Sequence, residues 1–275
     1  MPWLYIFLLL LILLVSYQAY AAKNYLDPNA PFYAGNYATG EPDRRDVTLT
    51  VVSYNIGYAL NIDRAIAEIR QIRSERGLDI LLLQEMDEPG LEQMARDLQL
   101  NYVYYPAAVE STYRKDFGNA VLSPWPIIDS KKLILPHISF SNRMKRVATR
   151  ATIRIHGEDF IAYSIHTEPV FTLPKYKEDQ CTYLLKDLDP KARWVIVGGD
   201  FNSFTKTGIE KLGKHYHNAG FERASRGCGY TFVRWGLKMS PDHIFTKGFM
   251  VTGQGKLPEA AASDHLPIWV KILPG

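Results

Sequence analysis

Trp194-Val195-Ile196-Val197-Gly198-Gly199-Asp200-Phe201-Asn202 reads as a strand that ends in chemistry. Its apolar, β-branched start has the pattern of a strand buried on both faces. Two glycines then let the backbone turn tightly, and Asp200 and Asn202 follow two residues apart. Taken alone, that ending is also an ordinary Asx turn. The same grammar recurs upstream. Residues 78–83 form an unbroken apolar run ending in Gln84 and Glu85, and residues 47–54 form a β-rich run leading to Asn55. Between them Asn61 is placed to cap a helix whose Ile62, Ala65, Ile66, Ile69 and Ile72 share one face, with Gly77 as the stop. A second helix opens near Pro89 and turns Leu91, Met94, Ala95 and Leu98 inward; a third runs from Pro174 to Lys186. Further strands are expected at 102–105, 119–123, 132–135, 147–155 and 160–166, the last two as a hairpin turning on Gly157. Short strands follow near 230–232, 243–246 and 268–272. The mixture predicts an α/β sandwich with polar groups gathered at strand ends.

At 275 residues, 47% hydrophobic and 22% charged, the chain is not a disordered tail, a collagen-like repeat or a polytopic membrane protein. A formal charge of +3 is too weak to announce a nucleic-acid binder. Cys181 and Cys228 lack metal-site spacing; a single bridge between them is open to an exported domain, with unpaired thiols the favoured expectation. Residues 3–15 are apolar without interruption, and Ala19-Tyr20-Ala21 follows. This is the pattern of a secretory signal cleaved after Ala21 or, extended to Ala22, of a transmembrane anchor. Either delivers the following domain to the extracytoplasmic side, although Lys23, Arg44 and Arg45 favour the opposite orientation. Residues 1–22 are thus a signal or anchor, 23–46 a Pro-rich linker, and 47–275 the functional domain, expected to be a monomer. Tyr25, Phe32, Tyr33 and Tyr37 suggest that part of the linker lies on the domain.

The last informative segment is Ala262-Ser263-Asp264-His265-Leu266-Pro267, a carboxylate and an imidazole side by side before a final strand. Gathered together, Glu85, Asp200 and Asp264 would repel one another unless a hard divalent cation sat among them. Mg²⁺ is the expected ion, with Mn²⁺ as the alternative. An imidazole of ordinary pKa, about 6.5, can take a proton from attacking water if a carboxylate holds its other nitrogen. His265 and Asp242 are the candidates.

These segments resemble the endonuclease/exonuclease/phosphatase superfamily over residues 47–272. Ser53-Tyr54-Asn55-Ile56, Leu83-Gln84-Glu85, Gly118-Asn119-Ala120-Val121-Leu122-Ser123, Ile165-His166-Thr167, Gly199-Asp200-Phe201-Asn202, Asp242-His243-Ile244-Phe245 and Ser263-Asp264-His265 follow in family order. Several unlinked matches at strand ends are far more specific than one. The resemblance implies a four-layer α/β sandwich, two packed mixed sheets flanked by helices, and a Mg²⁺-dependent phosphodiesterase acting on nucleic acid or a phospholipid head group. It implies metal ligation by Asn55 and Glu85, with Asp264 joining directly or through water. His166 would stabilise the scissile phosphate, Asp200 and Asn202 would position water and phosphate, and His265 with Asp242 would form the acid/base pair. Arg146 and Asn119 are the expected phosphate contacts. Whether Asp200 or His265 removes the proton stays open. Pro124 before Trp125 and Pro241 before Asp242 depart from the family pattern. A noncatalytic phosphate-binding module of the same fold is the alternative, supported only if a key acid or the base were missing.

Overall fold

In the computed structural model, residues 3, 5–9, 11–12, 22–42, 48–140, 142–169 and 173–275 are described. The Trp194 segment forms strand β10 (Trp194–Asp200), and its alternation sets the layers. Ile196 faces a core between two sheets, whereas Val195 and Val197 face a second core under helices α3 (Pro174–Lys186) and α4 (Lys206–His217). Strands β3 (Leu49–Asn55) and β4 (Ile80–Met86) repeat this on the other side. Val51, Ile80 and Leu82 point into the intersheet core. Val52, Tyr54, Leu81 and Leu83 pack beneath α1 (Ile62–Arg76) and α2 (Glu88–Asp97). The result is helices, sheet, sheet, helices, the four-layer sandwich expected from the sequence. Two-faced burial explains why these strands are continuous apolar runs.

The first sheet has the order β1-β5-β6-β4-β3-β16-β15, with β2 also on β5; the second has β11-β14-β10-β9-β8-β7. In the first, β5 is Asn101–Val109, β6 Asp116–Ser123, β15 Phe249–Lys256 and β16 Ile268–Pro274. In the second, β7 is Ile127–Ile134, β8 Val147–Ile155, β9 Glu158–His166, β11 Glu222–Arg223 and β14 Asp242–Lys247. The β8–β9 turn is the expected hairpin, with His156 and Gly157 both at positive φ. A separate hairpin, β12 (Phe232–Arg234) and β13 (Leu237–Met239), projects beside β14.

Residues 23–42 are not a free tether. Strands β1 (Lys23–Asn24) and β2 (Tyr33–Asn36) both pair antiparallel with β5. The Lys132 ammonium donates to the carbonyls of Tyr25, Asp27 and Ala30 at 3.1, 3.2 and 3.1 Å, clasping the segment between them. The expected signal or anchor falls largely outside the described residues, including its Ala19–Ala21 cleavage motif. Among the described residues no helix is long and apolar enough to cross a membrane. Both cysteines are free and buried, in different cores, as expected.

Candidate active site

Register alone assembles much of the site. Strands β9 and β10 are parallel and pair His166 with Asp200; β10 and β14 are antiparallel and pair Asp200 with Asp242. Three chemical side chains therefore stand in a row across three strands. The close β9–β10 pairing needs Gly199, because a Cβ there would collide with the Ile165 carbonyl oxygen, and its φ is +153°. Opposite them, the parallel pair β3 and β4 brings up Asn55, the last residue of β3 and paired with Gln84, and Glu85, the next residue of β4. Glu85 sits at φ +59° where the β4–β6 pairing breaks register, a bulge that re-aims its carboxylate. Polar bonds lock the two sheets together at this end. Gln84 donates to Ser164 at 2.9 Å, and Ser164 to the Leu83 carbonyl at 2.8 Å.

The acids and imidazoles meet in a buried cluster. Asn55 Nδ2 donates to Glu85 Oε1 at 3.2 Å and to Asp200 Oδ2 at 3.1 Å, one amide bridging both sheets. Tyr58 N–H donates to the other Glu85 oxygen at 3.1 Å. His265 Nδ1 lies 2.9 Å from Asp242 Oδ2, and its Nε2 lies 3.7 Å from Asp200 Oδ2. Thr231 donates to Asp242 at 2.6 Å and fixes the carboxylate from behind. Asn202, at φ +49°, donates its N–H to Asp200 Oδ1 at 2.8 Å and its amide to the Thr167 carbonyl at 3.1 Å. His166 Nε2 is 3.4 Å from Asp200 Oδ2, and Arg146 Nη1 lies 3.3 Å from both ring nitrogens of His166.

Burial sets the electrostatics. It pushes the Glu85 carboxyl up to about 7 from 4.5, with His265 and Arg146 opposing, so ionising it costs about 3 kcal/mol more than in water. Burial and then Arg146 hold His166 well below its ordinary value, so this ring is neutral. Burial alone would lower His265 too, but the Asp242, Asp200 and Glu85 charges outweigh it and raise that imidazole to about 10. Asp200 is held below the usual range: burial works against this, while His166, His265 and the Asn202 N–H favour the anion.

Asp200, Asp242 and His265 offer ligand atoms within 4.8 Å of one another, a buried group able to hold a metal. The oxygen-rich side formed by Asn55, Glu85 and Asp200 fits a hard divalent cation. There, the N–H groups of Asn55 lie between two carboxylates, with His166 3.9 Å from Glu85 and 3.4 Å from Asp200, which marks where positive charge is wanted.

Two expected members are placed differently. Asp264 turns outward, 3.5 Å from Arg234, and among the described residues no hydrogen bond or ion pair joins it to the cluster. Pairing of Phe232 with His265 sends the imidazole inward and its neighbour out. Asn119 is buried, but its amide is tied to the carbonyls of Val147 and Ser164 at 2.6 and 3.4 Å, bracing one sheet against the other. In the basic segment, half-buried Arg150 pairs with Asp129 and Asp187, and Arg154 pairs with Asp159. Sequence reasoning passed over Tyr58, Thr231 and Phe117. The Phe117 ring lies 5.3 Å from the Arg146 guanidinium and 5.7 Å from the His166 ring. It also passed over Glu168, fully buried two residues beyond His166, with neither carboxylate oxygen hydrogen-bonded among the described residues. Only its position in His166-Thr167-Glu168 hinted at it. A cavity of about 470 Å³ opens beside Asn202, lined by Lys177, Phe204 and Leu212.

The model of the endonuclease/exonuclease/phosphatase family matches residues 52–265. The chain belongs to that family. Its solved neighbours share the fold at low identity. An endonuclease/exonuclease/phosphatase from Beutenbergia cavernae superposes with TM-score 0.69 at 18% identity, over 84% of this chain and 72% of that one. D. rerio TDP2, complexed with a single-strand DNA product, gives 0.65 at 16%, over 83% and 100%. The human Nocturnin catalytic domain, with bound sulfate, gives 0.62 at 18%, over 89% and 97%. A UPF0294 protein of Vibrio cholerae is 28% identical over 133 residues, 47% of this chain and 46% of that protein. The match thus spans about half the length of this curated relative. Members of the family are hydrolytic nucleases and phosphatases, and this chain has their phosphoesterase fold.

Proposed function

We propose that the protein is a Mg²⁺-dependent phosphodiesterase that hydrolyses its substrate by direct attack of water. The observation that carries this reading is the chain of contacts from Glu85 through Asn55 and Asp200 to His265 and Asp242. Asn55 and Glu85 would hold the cation, and Asp264, paired with Arg234, is left out of that role. When bound, the ion polarises a phosphoryl oxygen and offsets charge on the leaving oxygen.

The remaining steps belong to the chain's own residues. His166, neutral and buried, donates a hydrogen bond to a phosphate oxygen, and the adjacent Arg146 adds fixed positive charge where the phosphorane charge develops. Asp200 and Asn202 orient the attacking water. An oxygen atom within hydrogen-bond reach of both Asp200 Oδ2 and His265 Nε2 fits the 3.7 Å between them. Asp242 holds Nδ1, so Nε2 is the atom that exchanges a proton; raised to about 10, His265 is protonated in the metal-free site, and Asp200, held anionic, is the group there that can take one. The presence of Glu85, Asp200 and the His265–Asp242 pair supports this reading over a noncatalytic phosphate-binding module. Hydrolysis of a soluble bis-aryl phosphodiester tests the reading. Activity should appear with Mg²⁺ or Mn²⁺ and vanish with chelator; turnover indifferent to chelator would reject it.

A further inference from the structure

The start of the folded domain is stitched into the edge that carries the site. Ala22 donates its N–H to the Asn142 carbonyl at 2.8 Å. Asn24 donates its amide to the Arg143 carbonyl at 2.8 Å and accepts the Lys145 N–H at 2.6 Å. Ala22 also packs in a small cluster with Ala108, Phe117, Met144 and Tyr58. Those neighbours lead directly inward: Phe117 lies against His166 and Arg146, and Tyr58 donates to Glu85. From Asn142 to Arg146 the chain covers at most about 14 Å.

The N-terminal apolar run therefore joins the domain at the mouth of the site and not at its back. The described part of that run is helical and exposed, with Trp3 at 79% and Phe7 at 62%. Between Ile12 and Ala22 there is at most about 35 Å of chain, against a radius of gyration of about 17 Å for a domain of this length. So short a leash cannot bring the opposite pole toward whatever holds residues 3–12. Around the exit point, Phe140 is 88% and Tyr113 45% exposed. Lys23, Arg114 and Arg143 are exposed cations there.

We propose that this face docks on the lipid bilayer holding the N-terminal segment, and that the substrate is the phosphodiester of a lipid head group. The inference rests on the phosphodiesterase reading and names its substrate class. Aromatic rings at the interface and cations against anionic head groups are the groups such a surface recruits, each cation contributing about 1 kcal/mol. Nucleic acid fits less well: the net charge is only +3, and Arg150 and Arg154 are paired to acids.

The test uses the full chain in phosphatidylcholine/phosphatidylglycerol vesicles, with an environment-sensitive fluorophore on Phe140→Cys or, at the far end of β9, on Glu158→Cys. Native thiols are buried and stay unlabelled. The probe at 140 should shift to the blue and be quenched by head-group spin-labelled lipid, while the probe at 158 does neither; equal responses, or none at 140, overturn the docking. Head-group release in the same vesicles should exceed oligonucleotide cleavage by about tenfold or more. The reverse preference overturns the lipid substrate. A soluble bis-aryl phosphodiester separates the two levels. Turnover of it without a lipid response removes only this inference, whereas its absence removes the phosphodiesterase reading beneath.

Discussion

His265 holds its Nδ1 2.9 Å from Asp242 and turns its Nε2 toward Asp200, 3.7 Å away. The dyad both orients the ring and raises its basicity, so Asp242→Asn should keep the geometry and lose the charge. We expect kcat to fall by about 10²–10⁴. The His265 pKa, followed by NMR in the metal-free protein, should drop from its value of about 10. An unchanged rate and pKa would mean that Asp242 only packs.

Glu85 links metal, pH and stability. Without a cation its carboxyl titrates at about 7 instead of 4.5, chiefly through burial. Between those values the folded state binds more protons than the unfolded state, so this group makes stability fall as pH rises through the window. A divalent cation needs the ionised form, and its apparent affinity should weaken by roughly tenfold per pH unit below 7. The Tm gain given by Mg²⁺ should therefore grow with pH, and Glu85→Gln should flatten it. A gain that is larger in acid would contradict the assignment.

The sequence made some of this visible for a physical reason. Strands buried on both faces are continuous apolar runs, so the abrupt polar endings at Asn55, Glu85 and Asp200 stand out. What pairing decides was hidden. Nothing local says that Asp264 turns to Arg234 while its neighbour His265 faces inward; the bridge to Phe232 does that. Asn119 looked like a phosphate ligand because its motif lies in order, yet its amide braces two sheets. Strands β1 and β2 sit in a Pro-rich stretch and are held by distant partners on β5 and by Lys132. Edge strand β15, broken by Gly253 and Gly255 and half exposed, carries no buried periodicity.

The Lys132 clasp predicts a local effect. Lys132→Met removes three hydrogen bonds to carbonyls of the N-terminal segment and should cost about 1–3 kcal/mol. Hydrogen exchange should rise selectively across residues 23–36, with turnover of a soluble phosphodiester retained. Uniform loosening of the whole domain would argue that the segment is an integral core element.

Burial pushes the Cys181 thiol up to about 12 and the Cys228 thiol up to about 11. A disulfide-exchange reagent at mildly alkaline pH should leave both untouched in the native protein and titrate two thiols after unfolding. Rapid native labelling, or no thiols on unfolding, would contradict their placement.

The most direct test of the whole account is steady-state hydrolysis of a soluble phosphodiester by Asp200→Asn, with folding checked by circular dichroism. Asp200 touches Asn55, Asn202, His166 and His265, and so joins every part of the site. The account predicts a folded protein whose kcat has dropped by about 10³ or more. Turnover close to that of the unsubstituted protein would contradict it.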